Sequence, residues 1–217
     1  MNAFIFDMDG VLLDNEPMWD DLKPSLYTKI FGADVATKIG PTVGLSIDHV
    51  IDRAIAAGAT ASRAEVFEHY IAEASHIYET APLTAAINQL GAVLKDLGVA
   101  VGVVSASPQR WIQAVLDRLE FGQDVKLVIA LQERPDLPHK PDPAGYLEAV
   151  KALGATPAST IILEDSNAGI AAAKASGAFT IALRANLLPG YQQTGGADAY
   201  VDTISEVIEL VKQRFKN

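Results

Sequence analysis

The chain has 217 residues, 49% of them hydrophobic and 20% charged, which is the make-up of an ordinary globular protein rather than a disordered one. Its formal net charge of −10 speaks against nonspecific nucleic-acid or anionic-membrane binding, both of which need basic surface. The absence of cysteine removes disulfides, thiolate metal sites and a cysteine nucleophile. The opening MNAFIFDMDG has no basic segment and meets acids too early for a signal peptide, and no apolar run reaches membrane-spanning length. A cytoplasmic, monomeric protein is the expectation.

Five short apolar runs predict buried parallel strands: AFIF (3–6), VAVGVV (99–104), KLVIA (126–130), TIILE (160–164) and FTIAL (179–183). Helical patterns separate most of them. Ser107 reads as a helix cap followed by Pro108 at the first helical position. A second helix starts after Asp142-Pro143 and stops near Gly154, and a third, SNAGIAAAKASG, runs from Ser166 to Gly177. The final ISEVIELVKQRF carries apolar residues at helical spacing. Strands alternating with helices predict an α/β fold, a doubly wound parallel-sheet, Rossmann-like core.

Between the first two strands lie roughly ninety residues, far more than one crossover requires. They carry helical signals of their own. Trp19, Leu22, Leu26 and Ile30 mark one helix, with Pro24 predicting a kink or break. Ser46 precedes an amphipathic stripe (Ile47, Val50, Ile51, Ala54, Ile55) that closes at Gly58. Ser62 and Glu65 have capping-box spacing ahead of Val66, Phe67, Tyr70, Ile71, Ala74 and Ile77. Residues 15–80 are therefore expected to form an α-helical domain inserted into a core made of residues 1–14 and 81–217.

Ligands of open α/β sheets bind outside the C-terminal strand ends. Here those ends carry Asp7 and Asp9, Ser105-Ala106-Ser107, and Glu164-Asp165, while the loop HKPDP adds Lys140. Taken singly, the serines could be helix caps, Glu164-Asp165-Ser166 a helix-entry turn and Lys140 an exposed loop residue. Their joint placement points to phosphoryl transfer. Asp7, Asp165 and a backbone oxygen would hold Mg2+, a hard cation that prefers oxygen ligands and relieves the crowding of the acids. Asp7 would attack phosphorus, and Asp9 would pass a proton to the leaving alkoxide and later take one from water. Ser105 and neighbouring backbone N–H groups, including that of Ala106, would bind phosphate oxygens. Lys140 supplies a positive charge that the acidic chain otherwise lacks.

DMDGVLLD, VVSAS, KPDP and LEDSNAGI, in that order, resemble the four motifs of the haloacid dehalogenase-like superfamily. The nearest resemblance is to its β-phosphoglucomutase/phosphatase branch, which carries a helical cap after the first motif. The resemblance implies a Mg2+-dependent phosphatase that hydrolyses a small phosphorylated metabolite, a sugar or polyol phosphate, through an aspartyl-phosphate. By that analogy Asp7 is nucleophile and metal ligand, and Asp9 is acid/base and binds metal through its carbonyl. Asp165 is a metal ligand, Glu164 belongs to the metal shell, and Ser105 and Lys140 bind phosphate. Asn15 and Glu16 would form the hinge and cap entry. Thr42, Gly44 and Ser46 occupy the place of the cap's substrate-specificity loop.

The alternative within the branch is a phosphosugar isomerase of the β-phosphoglucomutase kind. Such mutases carry a His five residues after the last Asp of the first motif, where this chain has Trp19. They also carry Lys and Arg in the specificity loop, and PTVGLSIDH has neither, although Lys38 and Arg53 flank it. A signalling receiver domain would place its acidic pair and phosphorylated Asp on different strands and lacks so large an insertion. A binding module without chemistry would not need a competent residue at every one of these positions.

Overall fold

The structure is a computed structural model that describes residues 1–40, 42 and 47–215. The chain divides into two compact units, Met1–Asp14 together with Pro82 onward, and Asn15–Ala81. The second ends at the buried Ala81 that caps its last helix.

In the larger unit, β1 (Ala3–Phe6) is followed, after the other unit, by α5 (Ile87–Asp96), with α1 to α4 belonging to the smaller unit. Then come β2 (Ala100–Ser105), α6 (Gln109–Leu116), β3 (Val125–Ala130), α7 (Ala144–Ala152) and β4 (Thr160–Glu164). The unit finishes with α8 (Asn167–Ala175), β5 (Phe179–Leu183), β6 (Ala199–Val201) and α9 (Ile204–Phe215). Among the described residues the strands form one parallel sheet in the order β3-β2-β1-β4-β5-β6. The chain winds outward in one direction from β1 through β2 and β3, and in the other from β4. The topological switch point therefore lies between the neighbouring strands β1 and β4.

Every residue of β1, β2 and β4 is buried, as befits parallel strands covered on both faces. Ile5 points into a cluster with Val104, Ile129, Leu131, Tyr146 and Val150 beneath α7. Phe4 and Phe6 point the other way, where Phe6 lies 5.7 Å from the Phe121 ring. Phe121 sits so close to Gly91 of α5 that a β-carbon there would lie 2.1 Å from its ring.

Three features depart from the sequence reading. Ser107 does not cap α6: Pro108 is the capping residue, and the Gln109 amide is met instead by Glu133 Oε1 at 3.0 Å. The Ser107 hydroxyl donates to the Asp9 carboxylate at 2.8 Å, a charge-assisted bond that ties the side chain to the β1 loop. The helix α5, preceded by Ala86 in a left-handed conformation (φ 63°), and the three-residue edge strand β6 were not marked by any cap or alternation.

The smaller unit contains α1 (Glu16–Phe31), α2 (Ala33–Ile39), α3 (Ile47–Ala56) and α4 (Arg63–Thr80). Pro24 lies inside α1 without ending it. Ser62 and Glu65 form the expected reciprocal capping box at the start of α4. Trp19 is buried at 6% exposure and stacks on Tyr70 with ring centroids 5.2 Å apart, so it belongs to this unit's apolar core. Among the described residues no helix is long and apolar enough to cross a membrane.

Because β1 is enclosed on both faces, shortening Ile5 should be costly. Ile5→Ala is expected to destabilise the protein by about 2–5 kcal/mol, whereas Leu147→Ala should change stability by less than about 0.5 kcal/mol. Leu147 is a large apolar side chain with 43% exposure on α7. Urea unfolding midpoints of the two variants check the contrast.

Candidate active site

Four sequence segments meet at the C-terminal ends of β1, β2 and β4. Asp7 follows β1 directly, and its amide extends the ladder by donating to Leu163 O of β4 at 3.0 Å. Ser105 ends β2, Glu164 ends β4, and Asp165 is the next residue. Lys140 comes from the loop that precedes α7. The switch point thus brings together Asp7, Ser105, Lys140, Glu164 and Asp165.

The centre of the arrangement is the Lys140 ammonium. It donates to Asp7 Oδ1 and to Glu164 Oε1, both at 2.6 Å, and to Val104 O at 3.3 Å. The Tyr146 ring lies 5.1 Å from it, and the Tyr146 hydroxyl donates to the same Glu164 oxygen at 2.6 Å. The other oxygen of Glu164 accepts from the Asp165 amide (3.0 Å), the Ser166 amide (3.2 Å) and the Ser166 hydroxyl (3.2 Å). Glu164 is completely buried and both its oxygens are engaged. It anchors Lys140 on one side and the turn into α8 on the other.

Two glycines make this packing possible. A β-carbon on Gly169 would lie 1.8 Å from Glu164 Oε1, so the first turn of α8 can pass over Glu164 only without a side chain. A β-carbon on Gly10, which also has a positive φ of 73°, would lie 2.0 Å from Asp165 Oδ2. The Gly of the opening D-x-D-G therefore lets the Asp165 carboxylate approach the Asp7 loop.

Asp9 stands slightly apart. Its carboxylate accepts the Ser107 hydroxyl, and the Ser107 amide donates to Ser105 Oγ at 3.0 Å, which links the β1 and β2 loops. Ala106 is half-buried between the two serines. Among the described residues one carboxylate oxygen each from Asp7, Glu164 and Asp165 lies within 4.8 Å of the others, and the Asp9 carboxylate is outside that group.

In the smaller unit, Asn15 is fully buried at the start of α1, and Glu16 is its first residue. Thr42 is buried, and its hydroxyl shares a 2.9 Å hydrogen bond with Tyr27 OH inside the same unit. Gly44 and Ser46 lie outside the described residues. The sequence offered no sign of Tyr146, whose position on α7 is a core position by pattern, or of Ser107 as the partner of Asp9.

The electrostatics follow from burial. Asp7 is pushed up to about 8, first by loss of solvation, with Glu164 and Asp9 adding to the rise and Lys140 opposing it. Burial alone would lower Lys140, but the Asp7 and Glu164 carboxylates hold its ammonium well above the ordinary lysine value. Burial and the adjoining Glu164 likewise raise Tyr146 well above an ordinary phenol. With all three carboxyls ionised, the cluster and its one ammonium carry two net negative charges, which a divalent cation would balance. An all-oxygen donor set suits a hard cation, so the group of Asp7, Glu164 and Asp165 fits a divalent metal ion.

A group whose folded pKa lies above its unfolded value binds its proton more tightly in the folded state. The stability it contributes is complete below the unfolded carboxyl value, near 4, and is lost as pH rises toward the folded value of about 8. The EDTA-treated protein should therefore melt at progressively lower temperature from pH 5 to pH 9. Asp7→Asn should flatten that slope, and differential scanning calorimetry of the two proteins checks it.

The haloacid dehalogenase-like hydrolase family model matches residues 1–177. Hexitol phosphatase B of Escherichia coli K12 is 37% identical over 180 residues, covering 80% of this chain and 79% of that protein. A phosphoglycolate phosphatase of Pseudomonas fluorescens is 28% identical over 189 residues, covering 82% of this chain and 68% of its own. Among solved structures, the β-phosphoglucomutase of Clostridium difficile superposes with a TM-score of 0.77 over 100% of this chain and 97% of its own, at 23% identity. That likeness concerns the fold. With the four motifs gathered at one switch point and the family matched from the first residue through the end of α8, the chain belongs to the haloacid dehalogenase-like hydrolases.

Proposed function

We propose that this hydrolase is a Mg2+-dependent phosphatase that cleaves a small phosphate monoester, of a sugar or polyol, through an aspartyl-phosphate on Asp7. The observation that carries the reading is the buried Lys140 ammonium bonded at once to Asp7 and Glu164 beside Asp165. It sets a cationic donor among the carboxylates, a group able to take a phosphate oxygen in an otherwise acidic chain. The 37% identical hexitol phosphatase B supports a polyol or sugar phosphate as the substrate class.

Asp7 and Asp165, with the main-chain carbonyl of Asp9, are assigned to the cation. Bound there, Mg2+ supplies charge neutralisation for the carboxylates and for the phosphate oxygens. Asp7 attacks phosphorus, the alkoxide leaves, and the phosphoryl group is carried on the Asp7 carboxylate until water removes it. Asp9 donates the proton to the leaving oxygen and then accepts one from the attacking water. The hydrogen bond from Ser107 holds the Asp9 carboxylate before it is called on. Ser105, the Ala106 amide and Lys140 take the phosphate oxygens, and Lys140 is suited to this because Glu164 keeps its ammonium in place as Asp7 reacts. Glu164, with both oxygens engaged by hydrogen-bond donors, is read as the residue that positions Lys140 rather than as a metal ligand. The Asn15–Ala81 unit is read as the cap that selects the substrate.

The hydrolase reading is favoured over the isomerase by Trp19. At the position of the mutase histidine it is buried and stacked in the apolar core of its own unit.

Phosphate release should be measured across hexitol phosphates, hexose phosphates and phosphoglycolate, with β-glucose 1-phosphate plus a trace of the 1,6-bisphosphate as the isomerase test. Free phosphate should form from a monophosphate without bisphosphate, and should stop with EDTA. Asp7→Asn should lower turnover by on the order of 10^3-fold or more. Rapid formation of glucose 6-phosphate with negligible free phosphate would assign the isomerase instead.

A further inference from the structure

We propose that Asn186 and Gln193, on the segment between β5 and β6, are positioning residues that fix the spacing of the two carboxylate-bearing turns of the cation site. The inference rests on the assignment of Asp7 and Asp165 to that cation. It concerns residues beyond position 177, where the family match ends.

The segment grips the site at both ends through side-chain amides. Asn186 Nδ2 donates to Gly10 O at 3.0 Å and to Thr84 Oγ1 at 2.7 Å. Gln193 Nε2 donates to Asp165 O at 2.7 Å and to Leu183 O at 2.8 Å. Each amide thus spends both protons on acceptors from two different parts of the chain. Gly10 and Asp165 are themselves in contact, since a β-carbon on Gly10 would lie 2.0 Å from Asp165 Oδ2. One amide holds the backbone on the Gly10 side of that contact, and the other holds the backbone on the Asp165 side.

Further bonds make the segment a strap rather than a loose loop. The Asn167 amide donates to Tyr191 OH at 3.0 Å, and Asn167 Nδ2 donates to Gln192 O at 2.9 Å. The Thr194 amide donates to Asn167 Oδ1 at 2.7 Å. Gln193 Oε1 is buried and, among the described residues, has no hydrogen-bond partner. A flipped amide would set that oxygen against two carbonyls, so the side chain is oriented by its nitrogen alone. Mg2+ requires near-octahedral ligand placement, so a shift of either turn would be felt first in metal affinity.

The test uses near-isosteric variants that remove the donors, Gln193→Met and Asn186→Leu, in the full-length metal-free protein. Binding of Mn2+ is read from the free-ion electron paramagnetic resonance signal and checked by Mg2+ displacement. Each variant, folded by circular dichroism, should bind Mn2+ about tenfold or more weakly, the usual consequence of losing a group that orients metal ligands. Affinity within twofold of the parent in both folded variants would overturn the proposal. Loss of the fold in both would also overturn it, because the amides would then serve folding rather than spacing. Asp165→Asn separates the two levels of the argument. If it leaves Mn2+ binding intact, the cation assignment fails, and if it abolishes binding while the strap variants keep theirs, only the positioning role fails.

Discussion

A single ammonium buried against two carboxylates governs this molecule. Lys140, with a side chain 10% exposed, sits 2.6 Å from both Asp7 and Glu164, and the latter is entirely enclosed. Isolated charges in such surroundings would cost several kcal/mol each, so every neighbouring choice serves to compensate them. Tyr146 and the amides of Asp165 and Ser166 fill the remaining acceptor positions of Glu164. Gly169 clears the space above it. Asp7 shares the same ammonium, and Asp165 brings a third carboxylate to the group.

The sheet makes such a concentration of charge tolerable. Asp7 and Asp165 project from the ends of adjacent strands whose pairing runs from Ala3↔Thr160 to Phe6↔Leu163, so their backbone positions are fixed by the register of fully buried residues. The free energy that holds like charges together comes from apolar burial some distance away, beneath α7 and around Phe6. An active site preorganised in this way need not rearrange its dipoles as charge moves during reaction.

Much of this was legible in the sequence because strand ends and acidic residues coincide in a short compass. AFIF followed by DMDG, and TIILE followed by D, mark both a buried strand and the chemistry at its tip. Helices with explicit start signals were equally plain, as with the Ser62/Glu65 box of α4. What escaped the sequence were relations between distant side chains. Ser107 has good capping chemistry, and only the fold reveals that its hydroxyl donates to Asp9. Glu164 carries hydrogen bonds on both oxygens that no local pattern announces. Tyr146 follows the pattern of a core residue and is one, yet its hydroxyl reaches the site. No local pattern in residues 184–196 encodes amides that bond 28 or 176 positions away. The edge strand β6 is too short to show alternation, and it forms because β5 offers it a ladder.

The two chain segments that join the units lie side by side. Leu13 and Leu83 form an antiparallel bridge, and the Asp14 amide donates to Pro82 O at 2.8 Å. The inserted helices therefore begin and end at one doorway, and the sheet closes over its own register without them. Such an insertion can lengthen, shorten or be replaced in the course of descent while the strands behind it keep their alignment. One hydrolytic scaffold can in this way be fitted to many metabolites by changing what is threaded through a two-stranded neck.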